Sequence, residues 1–478
     1  NHNRQPNKYM KKIVNIILSA AAIAGITAPA AASSKTEVRE TIELVSALAR
    51  TADFREYKMD IYPEYTAMID SVTAPYKNHP AVTMIKSLRD SLGLGYDAVA
   101  GFAGALAIKD GNVVFNPELD YKPMIDRRWG ETGAEELVPL LNDFYHKINF
   151  NEVYRKGQPI YEKAIANFNK MLDGVDMKWL SDYYGKEFTV LTNLSMLNVG
   201  NYGVTQHYPD GREEALMIIG PIVRKGEPDY SDCTSLVVHE SSHPITNPII
   251  MKHLKDFNSN SDSIASRFNT ELKNQAYAGG QTVLFETMVR LAEVQYAKAH
   301  AKTERDSLLL MLKTVGDKCN GFLFLEDFAK ATDRYQANRD KYPTLDDFMP
   351  ELVKLHNSLN VDSICKDIES RQPNFIGSNI EDNAVLPAGV TEITVRFDKP
   401  IHIGQGLAPY RADGREFPRS KDSKTSWNKE RTEFTYTVTL EPGKKYGISY
   451  PGEWFKSGEG YPTKGYYILP FETAPEAK

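Results

Sequence analysis

The segment SLVVHESSHPITNP, residues 235–248, decides how this sequence is interpreted. It places His239 and His243 four residues apart, and Glu240 directly follows the first histidine. On an α-helix, side chains four residues apart lie on one face about 6 Å from each other, so two imidazoles can reach one zinc ion. Glu240 lies about 100° round the axis, near such an ion but offset from ligation. The H-E-x-x-H pattern therefore predicts a zinc site in which Glu240 is the base that activates a water.

Pro244 follows the second histidine at once and limits the helix that can carry the pair. A proline in a helix interior removes the N–H that would bond the carbonyl of Glu240, at a cost of about 3 kcal/mol. It also biases His243 away from helical geometry. We therefore expect a short ligand helix that is capped by Ser231-Asp232 and ends or kinks at His243, so that both ligands precede the break.

A catalytic zinc needs a third protein ligand and an open position. The next strong helical pattern, residues 280–299, carries Glu286 among apolar neighbours, which favours an inward carboxylate that needs a cation. Arg290, one turn further on, could orient this carboxylate, or the two residues could form a plain intrahelical ion pair. Glu293 lies on nearly the same face and is the alternative ligand. We expect Glu286 to complete the ligand set.

Hydrolysis also needs a hydrogen-bond donor for the oxyanion that develops on the attacked carbonyl. Tyr277, just before the predicted helix of Glu286, is one candidate. His207 and Tyr208 are rivals, and Tyr202 could instead line a substrate cleft. The sequence has 26 tyrosines, and a single tyrosine is more often an ordinary packing residue. The choice among these residues therefore stays open.

The N-terminus and the composition indicate an exported globular protein. Lys11 and Lys12 precede an apolar run that ends in small residues, which is the pattern of a signal peptide. We assign residues 1–33 to a leader and signal peptide, and expect a periplasmic or secreted product without a membrane span in the mature chain. The net charge of −6 without a basic stripe argues against a nucleic-acid partner. The scattered cysteines allow one bridge, for which Cys319 and Cys365 are the expected pair.

The sequence pattern changes along the rest of the chain. Helical spacing dominates residues 35–180, short β-leaning runs follow, and further helical patterns come after the histidine segment. Beyond Arg371, short segments alternate apolar and polar residues between turns. We therefore predict an α+β fold. A mainly helical, zincin-like metallopeptidase domain with a small β-sheet would span residues 34–375, and an all-β Ig-like sandwich would span residues 376–478.

These motifs resemble a family of exported bacteroidete proteins of uncharacterised function with a gluzincin-like HExxH metallopeptidase core. The resemblance rests on residues 238–248, on FETMVR at residues 285–290, and on the helical segments that contain residues 47–50 and 55–57. The last hundred residues are similar to bacterial Ig-like modules, through GVTEITVRFDKP at residues 389–400.

The resemblance implies zinc held by His239, His243 and Glu286, with Glu240 as general base. Relatives carry bulkier apolar residues in place of the two serines between the histidines, and no proline at position 244. We expect an exported zinc metallopeptidase whose partner is a peptide or protein substrate. One alternative is a zinc-containing but inactive binding protein that engages protein or glycan through its Ig-like module. A third hypothesis is a structural surface protein whose histidines bind no metal.

Overall fold

The computed structural model describes residues 34–187 and 190–476, which form a mixed α+β protein with several small sheets. The predicted α+β class is therefore confirmed at that level. The signal peptide expected over residues 1–33 lies outside the described residues. No helix in the described part of the chain has both the length and the apolar character needed to cross a bilayer.

The first half of the described chain is mainly helical, as the spacing of its apolar residues predicts. Helices α2 and α3 each begin with a proline, where the missing N–H has no intrahelical partner to lose. Helix α3 is capped at its C-terminus by Gly93, whose φ of 72° is the left-handed conformation found at many helix ends. The helices are α1 (Glu40–Thr51), α2 (Pro63–Thr73), α3 (Pro80–Leu92), α4 (Asp97–Gly104), α5 (Gly133–Lys147), α6 (Phe150–Leu172) and α7 (Met177–Tyr184).

The helical part carries a four-stranded sheet in which one edge strand runs against the others. Its strands are β1 (Ser34–Glu37), β4 (Val190–Leu194), β6 (Glu213–Ile219) and β5 (Tyr202–His207), in that spatial order. Strands β1, β4 and β6 are parallel, and β5 pairs with β6 in antiparallel register. Two small hairpins stand apart from this sheet, formed by β2 (Leu106–Lys109) with β3 (Asn112–Phe115) and by β7 (Val223–Arg224) with β8 (Glu227–Pro228).

The histidine segment lies in a longer helix than its prolines predict. Helix α8 (Thr234–His253) continues through Pro244 and Pro248, so the expected end of the helix at His243 is wrong. The expected cap is also displaced, because Cys233 rather than Ser231-Asp232 precedes the first turn. The physical reason is tertiary packing. Pro244 is buried, and the carbonyl of Glu240 that it leaves unbonded faces the closely packed backbone of β5.

The remaining helices follow α8 along the chain, and one of them carries Glu286. The helical pattern predicted over residues 280–299 matches one of them, Gly280–His300, to within one residue. They are α9 (Asn260–Arg267), α10 (Asn269–Asn274), α11 (Gly280–His300), α12 (Glu304–Cys319), α13 (Leu325–Ala337), α14 (Leu345–Ser358) and α15 (Val361–Arg371). The bridge expected between Cys319 and Cys365 is not formed. All three cysteines are free thiols, and burial raises the pKa of both Cys319 and Cys365.

Beyond α15 the chain is built from strands, as its alternating pattern predicts. Strands β10 (Ala384–Leu386), β16 (Tyr466–Thr473), β15 (Lys445–Pro451) and β12 (Ala408–Pro409) form one sheet in this spatial order. Strands β13 (Lys424–Trp427), β14 (Glu433–Leu440), β11 (Gly389–Phe397) and β9 (Phe375–Ser378) form a second sheet. Their inward apolar residues make a core cluster of their own, whereas Tyr461 belongs to the core of the helical part.

Candidate metal centre

Two helices bring together the three residues that the sequence nominated as ligands. His239 and His243 lie on α8 and Glu286 lies on α11, and one ligand atom from each falls within 4.8 Å of the others. The two Nε2 atoms are 3.2 Å apart, and each lies 3.5 Å from a carboxylate oxygen of Glu286. Ligands at about 2.0–2.1 Å from a tetrahedral ion stand roughly 3.3 Å apart. The three side chains therefore fit one small divalent ion.

The outer nitrogen of His239 is held by Glu293, which does not join the cluster as the alternative ligand. Its Oε1 lies 2.6 Å from His239 Nδ1. Its Oε2 accepts from Ser235 Oγ at 2.5 Å and from Lys313 Nζ at 2.7 Å. Burial raises the pKa of Glu293, but the His239 hydrogen bond and the Lys313 charge bring it to about 2. An ionised Glu293 thus keeps the proton on Nδ1 and leaves Nε2 free for a metal.

The second histidine has a neutral partner from its own helix. His243 Nδ1 lies 3.3 Å from the amide oxygen Oδ1 of Asn247, four residues further on. Burial lowers the pKa of His243, so the neutral imidazole, which is the metal-ligating form, predominates. Asn247 was not nominated from the sequence, although its i+4 spacing from His243 is the signal that could have identified it.

Arg290 pairs with Glu286, as expected whether it orients this carboxylate for a metal or forms a plain intrahelical ion pair. Its Nη1 contacts Glu286 Oε2, and its guanidinium lies 4.0 Å from the centre of the Phe322 ring. Burial raises the pKa of Glu286, but the charges of His243, His239 and Arg290 outweigh it and leave the pKa below its ordinary value. Because Arg290 contacts only one carboxylate oxygen, the pair is compatible with metal ligation by Glu286.

Glu240 is buried beside the cluster, with 6 % of its surface exposed. Burial, together with the charges of Glu286 and Glu293, raises its pKa to about 7, although the charge of His239 lowers it. Its carboxylate accepts a hydrogen bond from the backbone N–H of Gly203 on β5. Three buried carboxylates, those of Glu240, Glu286 and Glu293, thus lie near one buried cation, Arg290, and one partly exposed cation, Lys313, so the cluster favours one additional cation.

The structure separates the candidates for the oxyanion donor. Tyr277 lies against Glu286 and Arg290, and burial raises its pKa. His207 is not brought to the cluster, because it pairs with Glu213 of the neighbouring strand at 3.4 Å. It lies four residues beyond Gly203 on β5, which is about 13 Å along an extended strand. Two tyrosines are placed differently: Tyr208 donates to Glu214, and Tyr202 lies partly buried next to Gly203.

Gly203 sets the close approach of β5 to the ligand helix, and its replacement tests this packing. A Cβ at this position would lie 2.2 Å from the carbonyl oxygen of Glu240 and 3.0 Å from His243 Cβ. We expect Gly203→Ala to lower the free energy of unfolding by about 1–3 kcal/mol, as overpacking does. Chemical denaturation measures this value. The matched control is Gly316→Ala on α12, where a Cβ meets nothing within 4 Å and stability should not fall. Equal stability of both variants would contradict the packing described.

The described residues therefore define an α+β protein with a buried His-His-Glu cluster shared by two helices. Residues 35–355 match the model of a family described as a domain of unknown function (DUF4932), and the chain belongs to this family. The match includes all three cluster residues and ends before the β-rich C-terminal part.

Comparison with curated proteins yields no match. Among solved structures, the crystal structure of the S-layer protein rSbsC(31-844) aligns at 13% sequence identity and a TM-score of 0.17. The alignment covers 83% of this chain and 46% of that chain, so this protein spans less than half the length of the S-layer protein. At that TM-score the alignment carries no argument about fold or function.

Proposed function

We propose that this protein is an exported zinc-dependent metallopeptidase that hydrolyses peptide bonds. The observation that carries the proposal is the convergence of His239, His243 and Glu286 at mutual distances suited to one ion, with Glu240 buried beside them. The proposed fold is a zincin-like domain over residues 34–375, followed by an Ig-like sandwich. Export rests on the N-terminal pattern of basic, apolar and small residues.

The donor set suits zinc. Two imidazoles and one carboxylate are ligands that catalytic zinc takes in proteins, with a further position left open. When bound, the ion would polarise the carbonyl of a substrate and lower the pKa of water. Glu293 and Asn247 hold the outer nitrogens of the two histidines, so that both Nε2 atoms point to the same place without rearrangement.

The proton transfers fall to Glu240. A carboxylate with a pKa near 7 can accept a proton from the attacking water and later pass it to the leaving amine. Its hydrogen bond with Gly203 holds it in place on the side of β5. We assign the oxyanion donor to Tyr277, because its side chain lies against Glu286, whereas His207 is directed to Glu213.

The test is cleavage of a peptide library by the purified protein, before and after removal of metal. We expect cleavage that a chelator abolishes and that added zinc restores, with about one zinc per chain. Bound zinc without cleavage of any peptide would instead favour a binding protein that engages protein or glycan. A purified protein that binds no metal and cleaves no peptide would contradict both proposals.

A further inference from the structure

A loop of the β-rich C-terminal part is seated on helix α12. Tyr461 is only 4 % exposed and is part of the hydrophobic core of the helical part. At the neighbouring Gly460, a Cβ would lie 3.3 Å from Met311 Cε and 3.7 Å from Val315 Cβ. The loop is also tied by Glu459, whose Oε2 accepts from Arg371 Nη1 at 2.9 Å. Residues 457–461 therefore form an anchor, which we call the Tyr461 loop.

The opposite face of α12 contacts the surroundings of the metal centre. Lys313 Nζ lies 2.7 Å from Glu293 Oε2 and 3.0 Å from Asp317 Oδ2. Asp317 Oδ1 in turn lies 3.6 Å from Arg290 Nε. Since Lys313 and Asp317 are four residues apart, they share one face, and Met311 and Val315 lie roughly half a turn away. Helix α12 thus stands between the Tyr461 loop and the residues that orient the ligands.

Helix α12 has few fully buried side chains to fix its position. Of its 16 residues, only Leu310 and Lys318 are buried, and Lys318 is a charged side chain. The buried Lys318 Nζ pairs with Glu326 Oε2 at 3.0 Å. A helix with so few buried apolar groups depends on contacts from both sides, because hydrophobic burial is what places most helices. The Tyr461 loop supplies one of those sides.

We infer that the β-rich C-terminal part is a structural component of the metal centre. The Tyr461 loop presses on α12 and keeps Lys313 and Asp317 against Glu293 and Arg290. Glu293 in turn orients His239, and Arg290 orients Glu286. Tyr461 is accordingly a positioning residue for metal binding, acting from outside the residues that match the family model. The inference rests on the proposed metal centre.

The test is the zinc dissociation constant of the full chain, measured by competition with a chromophoric chelator. We expect Tyr461→Ala to weaken zinc binding by about 10–100-fold, as loss of a ligand-orienting contact does. Tyr461→Phe keeps the ring and should bind as the wild type does. Tyr466→Ala is the control, because Tyr466 is 67% exposed on β16 of the same C-terminal part.

A second substitution separates positioning from general destabilisation. Lys313→Met should weaken zinc binding by itself, and Tyr461→Ala should add little to it, because both changes act through the same contact. If Tyr461→Ala does not fold, Val315→Ala trims the same contact from the α12 side and should weaken zinc binding several-fold. Unchanged affinity in the folded Tyr461→Ala or Val315→Ala variant would overturn the inference. No zinc binding by the wild type would instead overturn the proposed metal centre.

Discussion

Replacing Glu240 with glutamine is expected to abolish peptide hydrolysis while the metal remains bound. Glutamine has nearly the same shape, and its amide oxygen can still accept from the backbone N–H of Gly203, but it cannot take a proton. General acid–base groups contribute about 10²–10⁴-fold to rate, so kcat/KM should fall by that factor. The measurement is kcat/KM on a peptide that the wild type cleaves, together with zinc content per chain.

The matched control is Glu271→Gln, the same substitution at an exposed residue of α10. It should leave both activity and zinc content unchanged. If Glu240→Gln retained the turnover of the wild type, Glu240 would not be the base, and the proposed mechanism would fail. If it lost zinc as well as activity, the residue would be part of the binding site instead.

His243→Ala should remove the stabilisation that zinc gives to the folded protein. A ligand that binds only the folded state raises the free energy of unfolding by roughly 2.7 kcal/mol when its concentration is about 100 times its Kd. Loss of one of the three protein ligands should eliminate this gain. Thermal unfolding with excess zinc and with excess chelator measures the difference. The wild type should melt at a clearly higher temperature with zinc, and His243→Ala should melt at one temperature in both conditions.

The same helix provides a matched control for this substitution. His253 lies in the last turn of α8, with 15% of its side chain exposed, and pairs with Asp346 at 3.1 Å rather than with the cluster. His253→Ala should keep the full zinc-dependent shift. A shift that persists in His243→Ala, or that disappears in His253→Ala, would place the metal elsewhere.

The parts of the fold that could be predicted are those set by local pattern. The helix of Glu286 and the alternating strands after Arg371 follow from apolar spacing alone, because periods of 3.6 and 2 each suit one geometry. The length of the helix that carries the two histidines was underestimated, because Pro244 was expected to end it. The proline does cost local stability, but packing against β5 holds the helix together across it.

The three residues of the candidate cluster could be predicted from the sequence, but the residues that hold them in place could not. His239 and His243 share one turn of helix, and Glu286 shows its inward direction through its apolar neighbours. The role of Glu293 depends on Lys313 of another helix, and the exclusion of His207 depends on its pairing with Glu213. Such contacts between distant segments leave no periodic signal in a single sequence.

The most direct test of the metal centre is a crystal grown with zinc and measured on both sides of the zinc absorption edge. We predict one anomalous peak at the cluster, within about 2.0–2.2 Å of the Nε2 atoms of His239 and His243 and of the Glu286 carboxylate. The absence of a peak there, or a peak whose nearest atoms exclude Glu286, would contradict the proposed centre.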